Sequence, residues 1–181
     1  MQYINQSLVS EIRQKFCNVN TCPISGDRIF FENAGGALTL KSALETTTKF
    51  ASIPDNQGRD NAASKALNDV IKNAKSDLSA LFNTQSGEFF MGESGTELLF
   101  RLIRNAVLAS PSGGSIVGTS LEHPASRSAA KKWSNEMEYT YLSVPHCIKT
   151  GTVDPKNYAS KISDTTRVVT IVHASPVTGM G

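Results

Sequence analysis

A run of small and polar residues, Gly92-Glu93-Ser94-Gly95-Thr96-Glu97, stands between the apolar Phe89, Phe90 and Met91 and a helical-period stripe of Leu98, Leu99, Leu102, Ile103, Ala106 and Val107. That order predicts a strand, a tight turn and a helix. The first backbone N–H groups of a helix lack intrahelical acceptors, and its dipole favours an anion there. Ser94, Gly95 and Thr96 could therefore cradle a phosphate, with the Thr96 hydroxyl as a further donor. The turn is neither GxGxxG nor GxxxxGK followed by Ser or Thr, and a plain capping role for Ser94 or Thr96 accounts for the same residues.

A second cluster, Leu121-Glu122-His123-Pro124-Ala125-Ser126, follows a predicted strand, at the carboxyl end where α/β sheets place ligands. His123 could stack on a planar ligand or carry a proton, or simply cap the next helix. Asn33-Ala34-Gly35-Gly36 follows another apolar run, where paired glycines allow positive φ or a close ligand approach. Gly58-Arg59-Asp60 offers a guanidinium suited to a carboxylate or phosphate, or to solvent. His146 lies in a polar turn and His173 closes a β-branched strand, where structural roles are the default. Cys17 and Cys22 are spaced like a redox or metal pair but lack a second ligand pair, so they and Cys147 read as reduced thiols.

These residues need a scaffold, and the second half of the chain supplies an alternation. Strands are predicted over 88–91, 115–119, 138–144 and 167–173, with helices over 96–109, 124–135 and 155–162 between them. Upstream, helical stripes run through Ile4, Leu8, Val9, Ile12 and Phe16, through Leu40 to Phe50, and through Asn61 to Phe82, the last wide enough to pack on a sheet. Residues 28–32 read as a strand. The fold class is α/β with a largely parallel sheet flanked by helices. A first segment, 1–26, is helix and loop, and 27–181 is the domain proper. The chain breaks off just past a central-type strand, which leaves a sheet edge open and reads as a fragment of something longer.

The 181 residues carry 39% hydrophobic and 19% charged side chains, which excludes collagen-like, coiled-coil and disordered chains. Lys plus Arg number 18 and Asp plus Glu 16, a net charge of +2 with no basic stripe, so nucleic-acid and membrane partners are not expected. No apolar run approaches a membrane span and the N-terminus lacks a signal core, so the default compartment is the cytoplasm.

Taken in order, residues 28–36, Ser94-Gly95-Thr96-Glu97, Glu122-His123-Pro124-Ala125 and residues 172–179 resemble the first half of class V aminotransferases, the pyridoxal-phosphate group that includes cysteine desulfurases. The resemblance covers the chain from about Asp27 onward and implies the large-domain sheet of fold-type I, apparently truncated. It implies pyridoxal 5'-phosphate as cofactor, with Gly95 and Thr96 on its phosphate and His123 stacked on its ring. Asn33, Ala34 and Arg59 would serve a small amino acid substrate, and the full-length protein would be a homodimer in which Arg59 reaches a partner's site.

Two departures qualify the resemblance. Where the family has an Asn near the cofactor's ring hydroxyl this chain has Pro176, so that contact is lost unless Ser175 or Thr178 replaces it. The aspartate on the pyridine nitrogen and the Schiff-base lysine belong to motifs further along in the family, so no catalytic residue is assigned and the chain alone is expected to be inactive. The rival expectations are a non-catalytic α/β binding or regulatory module that retains the scaffold, and a nucleotide site at Ser94 to Glu97.

Overall fold

The computed structural model describes residues 5–54, 58–176 and 178–180. Two compact units divide the chain, Met1–Phe89 and Phe90–Gly181.

In the first unit, α1 (Gln6–Gln14) starts at Asn5, whose side chain accepts the Ser7 N–H at 2.9 Å. Ile4, expected in its apolar stripe, lies outside the described residues. The stripe stays half open, with Leu8 48% and Ile12 46% exposed. Where a loop was expected, Thr21–Cys22 (β1) and Gly26–Asp27 (β2) pair as a small antiparallel hairpin, and Gly26 supplies the positive φ of +82° that its turn requires. The chain then returns to α1: Cys17 N–H donates to Thr39 O at 2.8 Å and Lys41 N–H to Lys15 O at 2.9 Å.

Residues 28–32 do not form the expected strand. A strand exists only as half of a ladder, and after the Arg28 N–H on Asn20 O at 2.8 Å no ladder continues among the described residues, with Ile29 86% and Phe31 88% exposed. α2 (Lys41–Ala51) buries nothing. α3 (Ala62–Leu81) is capped by Asn61, whose side chain accepts the Ser64 N–H at 2.8 Å, and of its 20 residues only Ser64 is buried. Within its own unit the apolar stripe, which the sequence predicts would pack on a sheet, contributes no buried apolar residue.

The second unit carries the core. α4 (Gly95–Leu108) leads into β3 (Ser115–Thr119), then α5 (Pro124–Glu136), β4 (Thr140–Val144), the single turn α6 (Pro155–Ala159) and β5 (Thr166–Val169). The three strands are parallel in the order β4-β3-β5. Every residue of β3 is buried, as expected of a central parallel strand. Ile116 joins Ile103, Val107, Ala129, Ala130 and Tyr139 in one cluster, with Phe100, Trp133, Met137, Tyr141 and Val168 packed around it. This cluster glues α4 and α5 to one face of the sheet. Tyr139 donates its hydroxyl to Pro111 O at 2.5 Å, so its buried oxygen is satisfied.

β5 ends at Val169 rather than His173, and Ile171 is 71% exposed. The predicted strand 88–91 is also absent, with Phe90 82% exposed. Between β3 and β5 the register slips by one residue: Ser115 pairs with Thr166, but Ile116 pairs with Val168.

Candidate functional site

Parallel strands force their connecting helices to run back against them. α4 enters β3 and α5 leaves it, so both helices start at the carboxyl end of the sheet, where Gly95, Thr96 and His123 sit. Their side-by-side alignment is visible in Arg104 and Trp133, each the tenth residue of its helix, whose guanidinium and ring lie 5.6 Å apart.

At the α4 start, Ser94 is the N-cap and accepts the Glu97 N–H at 3.2 Å. Glu97 Oε2 accepts the Glu93 N–H at 3.3 Å, while its Oε1 pairs with Arg101 at 2.9 Å. The capping role expected of Ser94 is thus real, and it leaves Gly95 and Thr96 free. Both are exposed, and their N–H groups and the Thr96 hydroxyl have no partner among the described residues. A Cβ placed on Gly95 would meet nothing within 4 Å. This donor set, two amides and a hydroxyl at a positive helix end, has the chemistry of a phosphate site.

His123 is the N-cap of α5. Its Nδ1 accepts the Ala125 N–H at 3.1 Å, and Pro124, with no N–H to satisfy, takes the first helical position. An accepting Nδ1 leaves the proton of the neutral ring on Nε2. The imidazole is exposed.

Behind it lies a residue the sequence reading passed over. Glu122 is 7% exposed; its Oε1 accepts the Thr119 hydroxyl at 3.3 Å and its Oε2 the Ser126 hydroxyl at 3.0 Å. Burial raises the Tyr141 phenol above its ordinary value, with the negative charge of Glu122 adding to it. Burial and then Glu122 push Tyr158 up to about 12, so both phenols remain protonated at neutral pH. Tyr158 donates to Thr170 O at 2.9 Å. The one signal available in the sequence was position: an acid directly before a helix N-cap, where the dipole favours it.

The strand ends are cross-linked. Ser120 Oγ and His146 Nδ1 lie 2.7 Å apart, and the His146 N–H donates to the same oxygen at 3.1 Å. Beside them a cleft of about 400 Å³ is lined by Thr119, Tyr158, Val169, Ile171, His173 and Ser175 among others. Ser175 and Thr178, on either side of Pro176, both make hydrogen bonds to backbone groups. Ser175 Oγ accepts the Thr178 N–H at 3.4 Å, and the Thr178 hydroxyl donates to Gly151 O at 3.3 Å. The two hydroxyls that could stand in for the missing Asn are therefore engaged with backbone.

The remaining predicted residues belong to the first unit. Asn33 and Ala34 are exposed in a turn closed by the Gly35 N–H on Glu32 O at 3.0 Å. Neither Gly35 nor Gly36 has a positive φ, so backbone strain does not explain that pair. Arg59 lies ahead of α3, where its N–H donates to Ser64 Oγ at 3.0 Å. Among the described residues no group of His, Cys, Asp and Glu could hold a metal ion, and no helix is long and apolar enough to cross a membrane.

Residues 29–181 match the family model of class-V aminotransferases. The chain belongs to that family. A curated relative of this class-V chain, a cysteine desulfurase of Nostoc sp., is 31% identical over 114 residues, covering 62% of the chain and 28% of the relative. The apo cysteine desulfurase of Thermococcus onnurineus NA1 superposes with a TM-score of 0.75 at 16% identity, over 92% of this chain and 40% of that one. A variant of the cystine C-S lyase C-DES, described with glycine covalently linked to its pyridoxal-phosphate cofactor, superposes at TM-score 0.62 and 18% identity over 87% and 39%. At such identities the superpositions establish the fold, the fold-type I arrangement of a parallel sheet flanked by helices. The class-V chain spans well under half the length of these relatives.

Proposed function

We propose that this chain carries the phosphate-binding and ring-facing part of a pyridoxal-phosphate site, in a class-V aminotransferase of the cysteine-desulfurase kind acting on an amino acid. The observation that carries this reading is the free donor set at the α4 start, Gly95 N–H, Thr96 N–H and Thr96 hydroxyl, at the same end of the sheet as the exposed ring of His123. The group fits these residues: a phosphate takes the donors and a planar heterocycle takes the imidazole face.

Bound pyridoxal phosphate supplies an electron sink for the bond broken at the substrate's α-carbon. Gly95 and Thr96 hold the phosphate. His123 orients the ring from one face. The Arg101 partner of Glu97 offsets the carboxylate nearest the phosphate donors. In this reading residues 27–181 form part of the large cofactor domain, which the family match over 29–181 supports, and Asn33, Ala34 and Arg59 serve the substrate. The Schiff-base lysine lies outside these 181 residues, so the chain alone is inactive, and the complete enzyme pairs two copies in the cytoplasm.

The test is binding of pyridoxine 5'-phosphate, which lacks the aldehyde and so forms no adduct with lysines. The Gly95 and Thr96 amides and the His123 ring should shift together in NMR spectra, and Thr96→Val should weaken binding several-fold. Shifts caused by a nucleotide but not by pyridoxine phosphate would overturn the reading. A second reading, a non-catalytic module on the same scaffold, draws on Pro176 and on the engagement of Ser175 and Thr178 with backbone. It predicts that the gene product in its longest form stays colourless with pyridoxal phosphate and gives no borohydride-reducible lysine adduct.

A further inference from the structure

We propose that Glu122 is a positioning residue that sets the orientation of the His123 ring, an inference that rests on reading His123 as the residue facing the cofactor. The junction between Thr119, the last residue of β3, and Pro124, the first of α5, is four residues long, and each of them is tied down. Ser120 N–H donates to Val144 O at 2.9 Å, Leu121 N–H to Thr119 Oγ1 at 3.2 Å, and Glu122 N–H to Thr119 O at 3.4 Å. The Glu122 carboxylate then bridges the strand to the helix, with one oxygen on Thr119 and the other on Ser126. Thr119 and Ser126 are themselves 1% and 4% exposed, so both anchors are rigid.

The Glu122 carboxylate has no basic partner among the described residues; two hydroxyl donors and the start of α5 face it where burial of a charge would otherwise cost free energy. An apolar side chain would pack without that cost but could not grip two elements at fixed angles. The two-point link does what packing cannot: it fixes the peptide just before His123, and with it the direction from which Nδ1 meets the Ala125 N–H. That contact sets both the ring plane and the Nε2–H tautomer. Without the bridge the ring would still be present, but it would sample several planes and tautomers.

The experiment uses the whole chain, with Glu122→Gln and Ser126→Ala as variants. Ser126→Ala keeps the carboxylate and removes one donor, so it gives a readout even if Glu122→Gln misfolds. Long-range 1H–15N spectra of the histidine rings, recorded on the free protein, should show the His123 Nδ1 as a single hydrogen-bonded acceptor in the wild type. Both variants should show tautomer averaging at His123 and loss of the downfield Ala125 amide, with the His146 ring and the amides of Ser115, Ile116 and Val117 unmoved. On adding pyridoxine 5'-phosphate, the ring-current shift of the His123 protons should fall at least two-fold in the variants while the Gly95 and Thr96 amides still respond. An unchanged His123 tautomer in both variants would overturn the role of Glu122. A wild type that responds to pyridoxine phosphate nowhere would overturn the cofactor reading instead, and the free-protein spectra would still decide the role of Glu122.

Discussion

Ser120 Oγ and His146 Nδ1 lie 2.7 Å apart, although 26 residues separate them in the chain. The contact locks the loop after β3 to the loop after β4 at the end of the sheet that bears His123. Ser120→Ala removes the link and leaves the ring nitrogen to water, at a cost of about 1 kcal/mol. Thermal unfolding should register this as a fall in Tm of about 2–4 °C.

Two glycines should answer substitution in opposite ways. A Cβ on Gly118 would lie 2.5 Å from Thr170 Oγ1 and 3.0 Å from the Tyr141 hydroxyl, inside a fully buried strand. Gly118→Ala should destabilise by about 1–3 kcal/mol in a denaturant melt. Gly95 faces open space, so Gly95→Ala should leave the melt unchanged or slightly raised while weakening pyridoxine-phosphate binding, because the methyl enters the space a phosphate needs.

The thiol of Cys22 is lowered to about 7 by the Ser25 hydroxyl first, then by the Ser25 and Ile24 N–H groups, with the Arg28 charge adding a smaller share. The thiolate is the nucleophile, so alkylation at Cys22 should be slow where the group is protonated and should climb with pH through a midpoint near 7. Ser25→Ala should move that midpoint upward, toward the ordinary thiol value of about 8.5. Peptide mapping after timed iodoacetamide treatment reads both.

Phe31 and Phe90 are 88% and 82% exposed, two large aromatic surfaces open to solvent. The chain should bind the dye ANS in its folded state. Replacing either Phe with Ser should reduce that fluorescence without lowering Tm, whereas Ile116→Ala, at a residue with no exposed surface, should cost about 2–5 kcal/mol.

The second unit was legible because its punctuation is local. Ser94 as a cap and Pro124 at a helix start, with the alternation of apolar runs between them, place α4, β3 and α5 within a residue or two of their expected ends. Residues 28–32 and 88–91 carry equally good strand composition and form no strand, because a strand needs a neighbour and composition does not supply one. The hairpin of β1 and β2 was missed since two-residue strands have no period to detect. At the candidate site, Gly95, Thr96 and His123 were marked by their places at the starts of helices. Glu122 and the pairing of Ser120 with His146 were not marked, since the bonds that define them reach across an element or between strands.

The one-residue slip between β3 and β5 decides which side chain of β5 meets the oil. In straight register Ile116 would stand opposite Arg167, and a guanidinium would be driven in among Phe100, Trp133 and Tyr141. The surplus residue swings Arg167 away to hold Asp164 O at 3.1 Å, sets the Thr166 hydroxyl on Ser115 at 3.1 Å, and delivers Val168 inward. Shortening the strand by that arginine would spare the interior and cost only its outer clasp, so a homologue one residue shorter at this point would keep the same sheet.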